Sequence, residues 1–564
     1  MPYSTSKILK TLSLMVMMTM TLLNTSAQSY YTKSKKASDY FQKAQNLIHV
    51  DNVKALKYVD KALKLDTEFL NAILLKAELC QELNMDSTAM SSYEHLFMID
   101  SMAFPKSIIS LSKLYTEYLY FDKSISCLIW YLSLDNQNEI LRDIAEKQLI
   151  LTEFRKSLVE NPVSYNPENI GNIVNSHDDE FVNHYYANEN KLVLTRKYQS
   201  DGITYENVFF SMMIDSIWTL PTRLFDNIRL LDDVGAAAIS HGDNAVYFSG
   251  CGWNDGRGSC DIYTMNYYDG KWSEPRNLDM INTSAWESQP CISYDGNELY
   301  FVRRDKTLGT SDIFMSKRDD DGCWMKPEKL VNVNTEGNEM APFIHNDGKT
   351  LYFSSDTHLG MGGYDLFVSQ RNDNGEWTMP KNLGYPLNTH ADEINIVVSN
   401  DAVTAFISSE KDEGCGGYDI YKFDMDENFR PQYVELSLPS DEEYYADKLN
   451  RQESVVLNNI YFDFDSFELL PSSEKGIDLI VDMLNTYPEL NIEIVGHTDD
   501  MGDADYNLVL SKKRADAVKT ALINKGVMED RIETRGLGAS KPLVPNNSDK
   551  HRALNRRVEM KRIL

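Results

Sequence analysis

Two side chains near the C-terminal end of the chain could do chemistry together. Asp499 closes the stretch NIEIVGHTDD, which reads as a strand running into a loop. Arg514 lies 15 residues later in a stretch with helical periodicity. Side by side, a carboxylate and a guanidinium make either a structural salt bridge or a receptor for a ligand carrying both charges. The planar arginine fork can hold a carboxylate bidentately. Elsewhere the residue types argue against catalysis. No nucleophile stands with a base, no Cys/His cluster has zinc spacing, and the Gly-rich run GCGWNDGRGSC joins two strands rather than opening a helix. Neither an enzyme nor a bound cofactor or metal is expected. The seven cysteines include no CxxC. Cys251 and Cys260 flank the Gly-rich run and are either bridged or buried and reduced.

The elements around Asp499 and Arg514 alternate. VVLNNIYFDFD reads as a strand ending in a loop. The apolar spacing of Ile477, Ile480, Val481 and Leu484 predicts a helix over 471–486. A second helix is predicted over 507–525, with Leu508, Ala515, Val518 and Leu522 inward and Gly526 just past its end. RIETRG and NRRVEMKRI supply further strands. Residues 455–564 are therefore expected to form a small α/β sandwich.

Two repeat-built regions precede it, and 564 residues exceed what one core can organise. Residues 36–160 carry helical periodicity and are almost free of Gly and Pro. Three echoing segments end at Asp66, Asp100 and Asp135, spaced by 34 and 35 residues, as in stacked helix-turn-helix arrays. Ala44, Ala62 and Ala77 are the small residues expected where such helices pack closely. Residues 163–436 switch to short strands and turns. ENVFF, CDIYT, SDIFM, YDLFV and YDIYK place Asn207, Asp261, Asp312, Asp365 and Asp419 in register, at steps of 54, 51, 53 and 54. Trp218, Trp272, Trp324 and Trp377 follow the first four. Between repeats recurs an asparagine-to-glutamate phrase, NTSAWE, NTEGNE and NTHADE, with NSHDDE at the start. Such a period reads as an all-β propeller of about five blades. The opening phrase predicts that the N-terminal strand completes the last blade. Recurrence in every repeat makes the Asp and Trp residues structural, the Asp holding a turn and the Trp packing between sheets. The acidic stretch 437–454 reads as a linker or the approach to the last domain.

The formal charge is -29, and residues 455–564 hold 15 Lys and Arg against 18 Asp and Glu. The acidity is therefore concentrated upstream, which disfavours nucleic acid as a partner. Residues 1–27 have the pattern of a secretory signal peptide: Lys7 and Lys10, an apolar run from Thr11 to Leu23, then Thr25-Ser26-Ala27. The protein is expected to be exported to the periplasm.

These motifs resemble known families. GHTDDMG, YNLVLSKKRADAV, RGLGASKP and NRRVEM resemble the OmpA-like domain shared by OmpA proteins, Pal lipoproteins and MotB stators. That resemblance implies binding of the meso-diaminopimelate stem peptide of peptidoglycan. It implies that Asp499 takes the ligand ammonium and Arg514 its carboxylate, with Thr498 and Asn507 completing the polar shell. It also puts Phe464 and Asp465 in the loop beside the ligand. Arg557 either lines the site or pins the last strand to a helix. The helical region resembles tetratricopeptide repeats, and the strand region resembles the WD40-like repeats called PD40. The domain order resembles PorE-type envelope proteins of Bacteroidota, a class associated with type IX secretion. This chain departs from them in having no lipobox cysteine and no small domain before the OmpA-like part. The resemblance implies an outer-membrane-associated scaffold that anchors a complex of outer-membrane or periplasmic proteins to the wall. The alternative is a wall-tethered propeller that acts on, or binds, glycans or peptides.

Overall fold

The computed structural model describes residues 32–563 apart from 135–137, 187–189, 201, 226–232, 241–244, 269–270, 411–413, 435–440, 458–459 and 463–465. The segment read as a signal peptide and the repeat-closing Asp135 lie outside the described residues. The chain falls into two compact units. One holds the residues up to Pro162 with the short segments 359–363 and 384–390, and the other holds the remainder.

The first unit is helical: Lys35–Gln45, Asn52–Leu63, Leu70–Glu82, Asp86–Ile99, Ser107–Glu117, Phe121–Leu132 and Glu139–Glu160. Polar residues start several of them. Asp51 accepts a hydrogen bond from Lys54 N, and Asn138 accepts from Ile140 N and Leu141 N, satisfying amides that a helix start leaves without carbonyl partners. Successive helices pack on one another. Ala44, Ala62 and Ala77 are fully buried, the first two in one core with Phe41, Val59 and Phe69, the third beside Cys80 and Tyr93.

The second unit begins with antiparallel strands. Asp179–Tyr186, Lys191–Ser200 and Ile203–Ile214 form the first sheet. Val234–Ile239, Ala245–Cys251 and Cys260–Tyr268 follow, then Trp286–Ile292, Glu298–Arg304 and Ser311–Lys317. A parallel bridge between Trp286 and Cys260 joins these two groups into one nine-stranded sheet. Glu339–Ile344, Thr350–Ser355 and Asp365–Gln370 belong to the next sheet, and Glu393–Val398, Thr404–Glu410 and Tyr418–Asp424 to the last. The short strand Glu168–Asn169 pairs with the last of these, Glu168 opposite Lys422 and Asn169 opposite Tyr421. Among the described residues no sheet closes on itself.

The repeated phrase has a physical reading. Its asparagine clamps a strand of an adjacent strand group: Asn175 bonds both backbone groups of Ile420, Asn282 those of Ile262, and Asn334 those of Ile313. Its glutamate is buried and folds back on the Ser or Thr four residues earlier. Glu180 accepts from Ser176 N, Glu287 from Thr283 N and Glu339 from Thr335 N, at 2.9 to 3.1 Å. Aligned aspartates hold turns: Asp261 accepts from Arg257 N and Gly258 N, Asp419 from Cys415 N. Asp312 instead pairs with Lys329 at 2.7 Å. Each tryptophan meets an aromatic ring of a neighbouring strand group: Trp324 Tyr247, Trp377 Tyr300, Trp272 Phe225 and Trp218 Phe406, at centroid distances of 5.9 to 6.4 Å. Cys251 and Cys260 form a disulfide between facing strands.

The C-terminal sheet runs in the order Val455–Val456, Val558–Ile563, Asn491–Gly496, Ile532–Gly536, with helices Glu474–Thr486 and Ala504–Asn524. Its core joins Ile477, Ile480 and Leu484 to Ile492, Ile494, Ala515 and Val518. The first helix starts later than its apolar spacing predicts, after a 3-10 turn at Pro471–Ser473. The second starts three residues earlier than predicted, at Ala504, because Asp503 accepts from Asp505 N and Tyr506 N and caps it. The stretch read as a linker forms, from Asp441, the helix Asp441–Asn450, whose Ala446 and Leu449 are buried in this same core.

Candidate binding site

Two glycines set the geometry of the site. A Cβ on Gly496 would sit 2.0 Å from Ser511 O, and one on Gly536 would sit 2.6 Å from Lys512 N. These neighbouring strands therefore touch the backbone of helix Ala504–Asn524 directly. The strand Asn491–Gly496 delivers His497, Thr498 and Asp499 beside the start of that helix. Asn507, buried on its inner face, donates from Nδ2 to Met501 O at 2.9 Å and more weakly to Asp499 O at 3.4 Å, fixing the loop.

Asp499 is held firmly. It is 8% exposed; Oδ1 accepts from Met501 N at 3.1 Å and Oδ2 from Arg556 Nη1 at 2.6 Å. Thr498 donates its N–H to Gly538 O, yet its hydroxyl is buried without a hydrogen-bond partner among the described residues. Such an orphan costs about 1–3 kcal/mol unless something fills it. Arg514 is buried two turns along the helix from Asn507, ~10.5 Å of helix axis at 1.5 Å per residue. Its Nε donates to Ser466 O at 2.9 Å and its guanidinium lies 5.3 Å from the Phe462 ring centroid.

The structure thus brings Thr498, Asp499 and Asn507 together and places Arg514 on the same helix face as Asn507. Asp499 and Arg514 are not bonded to each other: the ion pair of Asp499 is with Arg556. Arg557 neither reaches Asp499 nor ties the strand to a helix. It pairs with Glu559 on its own strand and donates to Lys541 O. The arginine at Asp499 is its neighbour Arg556, which the sequence reading did not single out. Adjacent residues leading into a strand point to opposite sides, so one arginine of the pair faces the loop, but which one depends on register. Phe464 and Asp465 lie outside the described residues.

Beneath the site is a buried charged cluster. His497 Nε2 approaches Glu559 Oε1 to 3.5 Å, and Ser454 donates to Glu559 Oε2 at 2.5 Å. Burial pushes the His497 imidazole below its usual pKa, with Glu559 opposing that. For Glu559 burial acts upward, but the nearby His497, the bond from Ser454 and the Arg557 charge outweigh it and hold the carboxyl well below its usual range. Among the described residues no His/Cys/Asp/Glu group could hold a metal, and no helix is long and apolar enough to cross a membrane.

Residues 461–556 match the OmpA family, and the C-terminal domain is OmpA-like. Over 101 residues the chain is 42% identical to outer membrane porin F of Pseudomonas fluorescens, a match covering 18% of this chain and 31% of that protein. It is 35% identical over 115 residues to the peptidoglycan-binding protein ArfA of Mycobacterium tuberculosis, covering 20% and 35% respectively. The chain spans only about a third of these relatives' own length. Among solved structures, the peptidoglycan-associated lipoprotein of Burkholderia pseudomallei is 35% identical, with a TM-score of 0.18, covering 18% of this chain and 88% of that one.

Proposed function

We propose that this protein grips peptidoglycan noncovalently through its C-terminal domain and scaffolds an envelope protein complex on the wall. The ligand is the diaminopimelate stem peptide. Asp499 takes its side-chain ammonium and Arg514 its carboxylate, with Thr498 and Asn507 lending hydrogen bonds. The observation that carries this reading is a buried carboxylate beside the hydroxyl of Thr498, which has no hydrogen-bond partner among the described residues, at the end of a strand in an OmpA-like domain. A polar ligand satisfies both at once. Arg556, with its side chain 37% exposed, swings toward water when the ligand ammonium takes its place on Asp499. Binding is noncatalytic, reversible and weakened by salt.

The upstream regions serve as docking modules for outer-membrane or periplasmic proteins, including those of a type IX secretion assembly. The helical unit fits a tetratricopeptide-like array. A five-bladed propeller is supported by the terminal strand pairing with the last sheet and by hydrogen bonds that link the strand groups in succession. Thr195 Oγ1 accepts from Ala236 N, Ser249 Oγ from Gln289 N, and Gln289 Oε1 from Ala341 N. Ser354 Oγ donates to Ile394 O, and Ser408 Oγ accepts from Val182 N, returning to the first sheet.

The test is co-purification of affinity-tagged Asp499→Asn protein from cells under mild detergent, with the same preparation assayed against muropeptides and oligosaccharides. The scaffold predicts stoichiometric companions and no turnover. Turnover by a solitary protein would instead indicate a tethered enzyme.

A further inference from the structure

The first long strand of every repeat carries the same irregularity. Register slips between Val182 and His184, Gly235 and Ala237, Ser288 and Cys291, Met340 and Phe343, and Glu393 and Asn395. Each is a β-bulge, a device that re-aims a side chain and is frequent beside active and binding sites. Ala236, Gln289 and Ala341 sit at positive φ of 41°, 54° and 49°, a conformation that costs non-glycine residues energy and clusters at ligand clamps. All five bulges line one cavity of about 240 Å³.

The wall of that cavity is polar in a particular way. Three amide side chains are half used. Asn183 donates to Thr195 Oγ1, Gln289 accepts from Ala341 N, and Asn395 donates to Val182 O. Asn183 Oδ1, Gln289 Nε2 and Asn395 Oδ1 have no partner among the described residues. The same holds for the indole N–H of Trp286, the ammonium of Lys197 and the carboxylate of Glu206, all on the lining. None of these six groups is sealed from solvent-sized space. Lys197 and Glu206 face each other across neighbouring strands without forming an ion pair.

From this array we infer that the cavity is a binding site for a neutral monosaccharide-sized polyhydroxy molecule. A hydroxyl both donates and accepts, so it matches a wall of interleaved unspent donors and acceptors, whereas a ligand of one charge leaves Lys197 or Glu206 opposed. Trp286 offers a flat apolar face for the C–H side of a sugar ring. At about 240 Å³ the space lies below the roughly 300–1,000 Å³ of pockets that take drug-sized ligands, which suits a single sugar ring. The site is separate from the OmpA-like domain and independent of the wall-binding reading.

The experiment is titration calorimetry on the full exported chain. The probes are glucose, galactose and N-acetylglucosamine, with glycine and glutamate in a second arm. Glu206→Gln keeps the side-chain shape, and Trp286→Ala removes the ring. Far-UV circular dichroism and the melting temperature check the fold of each. Saturable binding of a sugar, weakened at least ~10-fold by Glu206→Gln, supports the site. Loss in a folded Trp286→Ala adds the stacking contact. The inference is overturned if no sugar binds with Kd below ~1 mM, if Glu206→Gln binds like the parent, or if only the amino acids bind.

Discussion

Replacing Asp499 by asparagine separates wall binding from folding. The change is almost isosteric, and the amide oxygen can still accept from Met501 N as Oδ1 does now. What the free protein loses is the ion pair with Arg556. That side chain is 37% exposed and can turn into water, so the loss is at most about 1 kcal/mol. The bound state loses more. A ligand ammonium brought against a site 8% exposed gives up its water and finds no charge, which costs about 2–5 kcal/mol. That converts to roughly a 30- to 4000-fold weaker Kd. The assay is sedimentation of the full chain with purified diaminopimelate-type peptidoglycan over a range of wall concentrations, with melting measured in parallel. Arg556→Ala is the control. If Asp499 serves only as the salt-bridge partner of Arg556, both variants behave alike. If Asp499 receives the ligand, Arg556→Ala still binds. A folded Asp499→Asn protein that binds within about threefold of the parent (~0.7 kcal/mol) refutes the assignment.

Other regions give further tests. Asn175→Ala leaves both backbone groups of Ile420 without their clamp in a buried setting, so the second unit should lose about 1–3 kcal/mol, read as a lower urea midpoint for its unfolding. A fragment starting at residue 441 should melt higher than one starting at 455, because the shorter piece lacks Leu449 and Ala446 in its core. One buried leucine alone is worth about 2 kcal/mol, and equal melting temperatures would show that the helix Asp441–Asn450 is dispensable. Acid should weaken the C-terminal domain. His497 has a folded pKa below its unfolded value, so its contribution is complete above about pH 6.5 and is lost as pH falls through that value. Glu559, also depressed, adds a loss beginning near pH 4.5. His497→Gln should flatten the first part of the melting-temperature profile between pH 7.5 and 5.5, and an unchanged slope argues against it.

Much of this architecture is written locally. The helical periodicity, the step near 53 residues, the Asn-to-Glu phrase and the Cys251–Cys260 pairing each depend on residues close in sequence or repeated in register. Asn282 and Glu287 act within one turn and one adjacent strand, and the same chemistry recurs at Asn334 and Glu339. The placement of Thr498, Asp499 and Asn507 side by side is equally local, because a strand-loop-helix unit brings them together within nine positions. Tertiary structure decided the rest. Whether Asp499 meets Arg514 or Arg556, 57 positions away, depends on how the last strand enters the sheet, and a one-residue change of register would have presented Arg557 instead. The role of 441–450 followed from a core that extends beyond the sheet it serves. The cavity is the clearest case. Asn183, Gln289 and Asn395 are ordinary polar residues in ordinary strands, and their unspent atoms acquire meaning because five bulges, one in each repeat, converge on the same space.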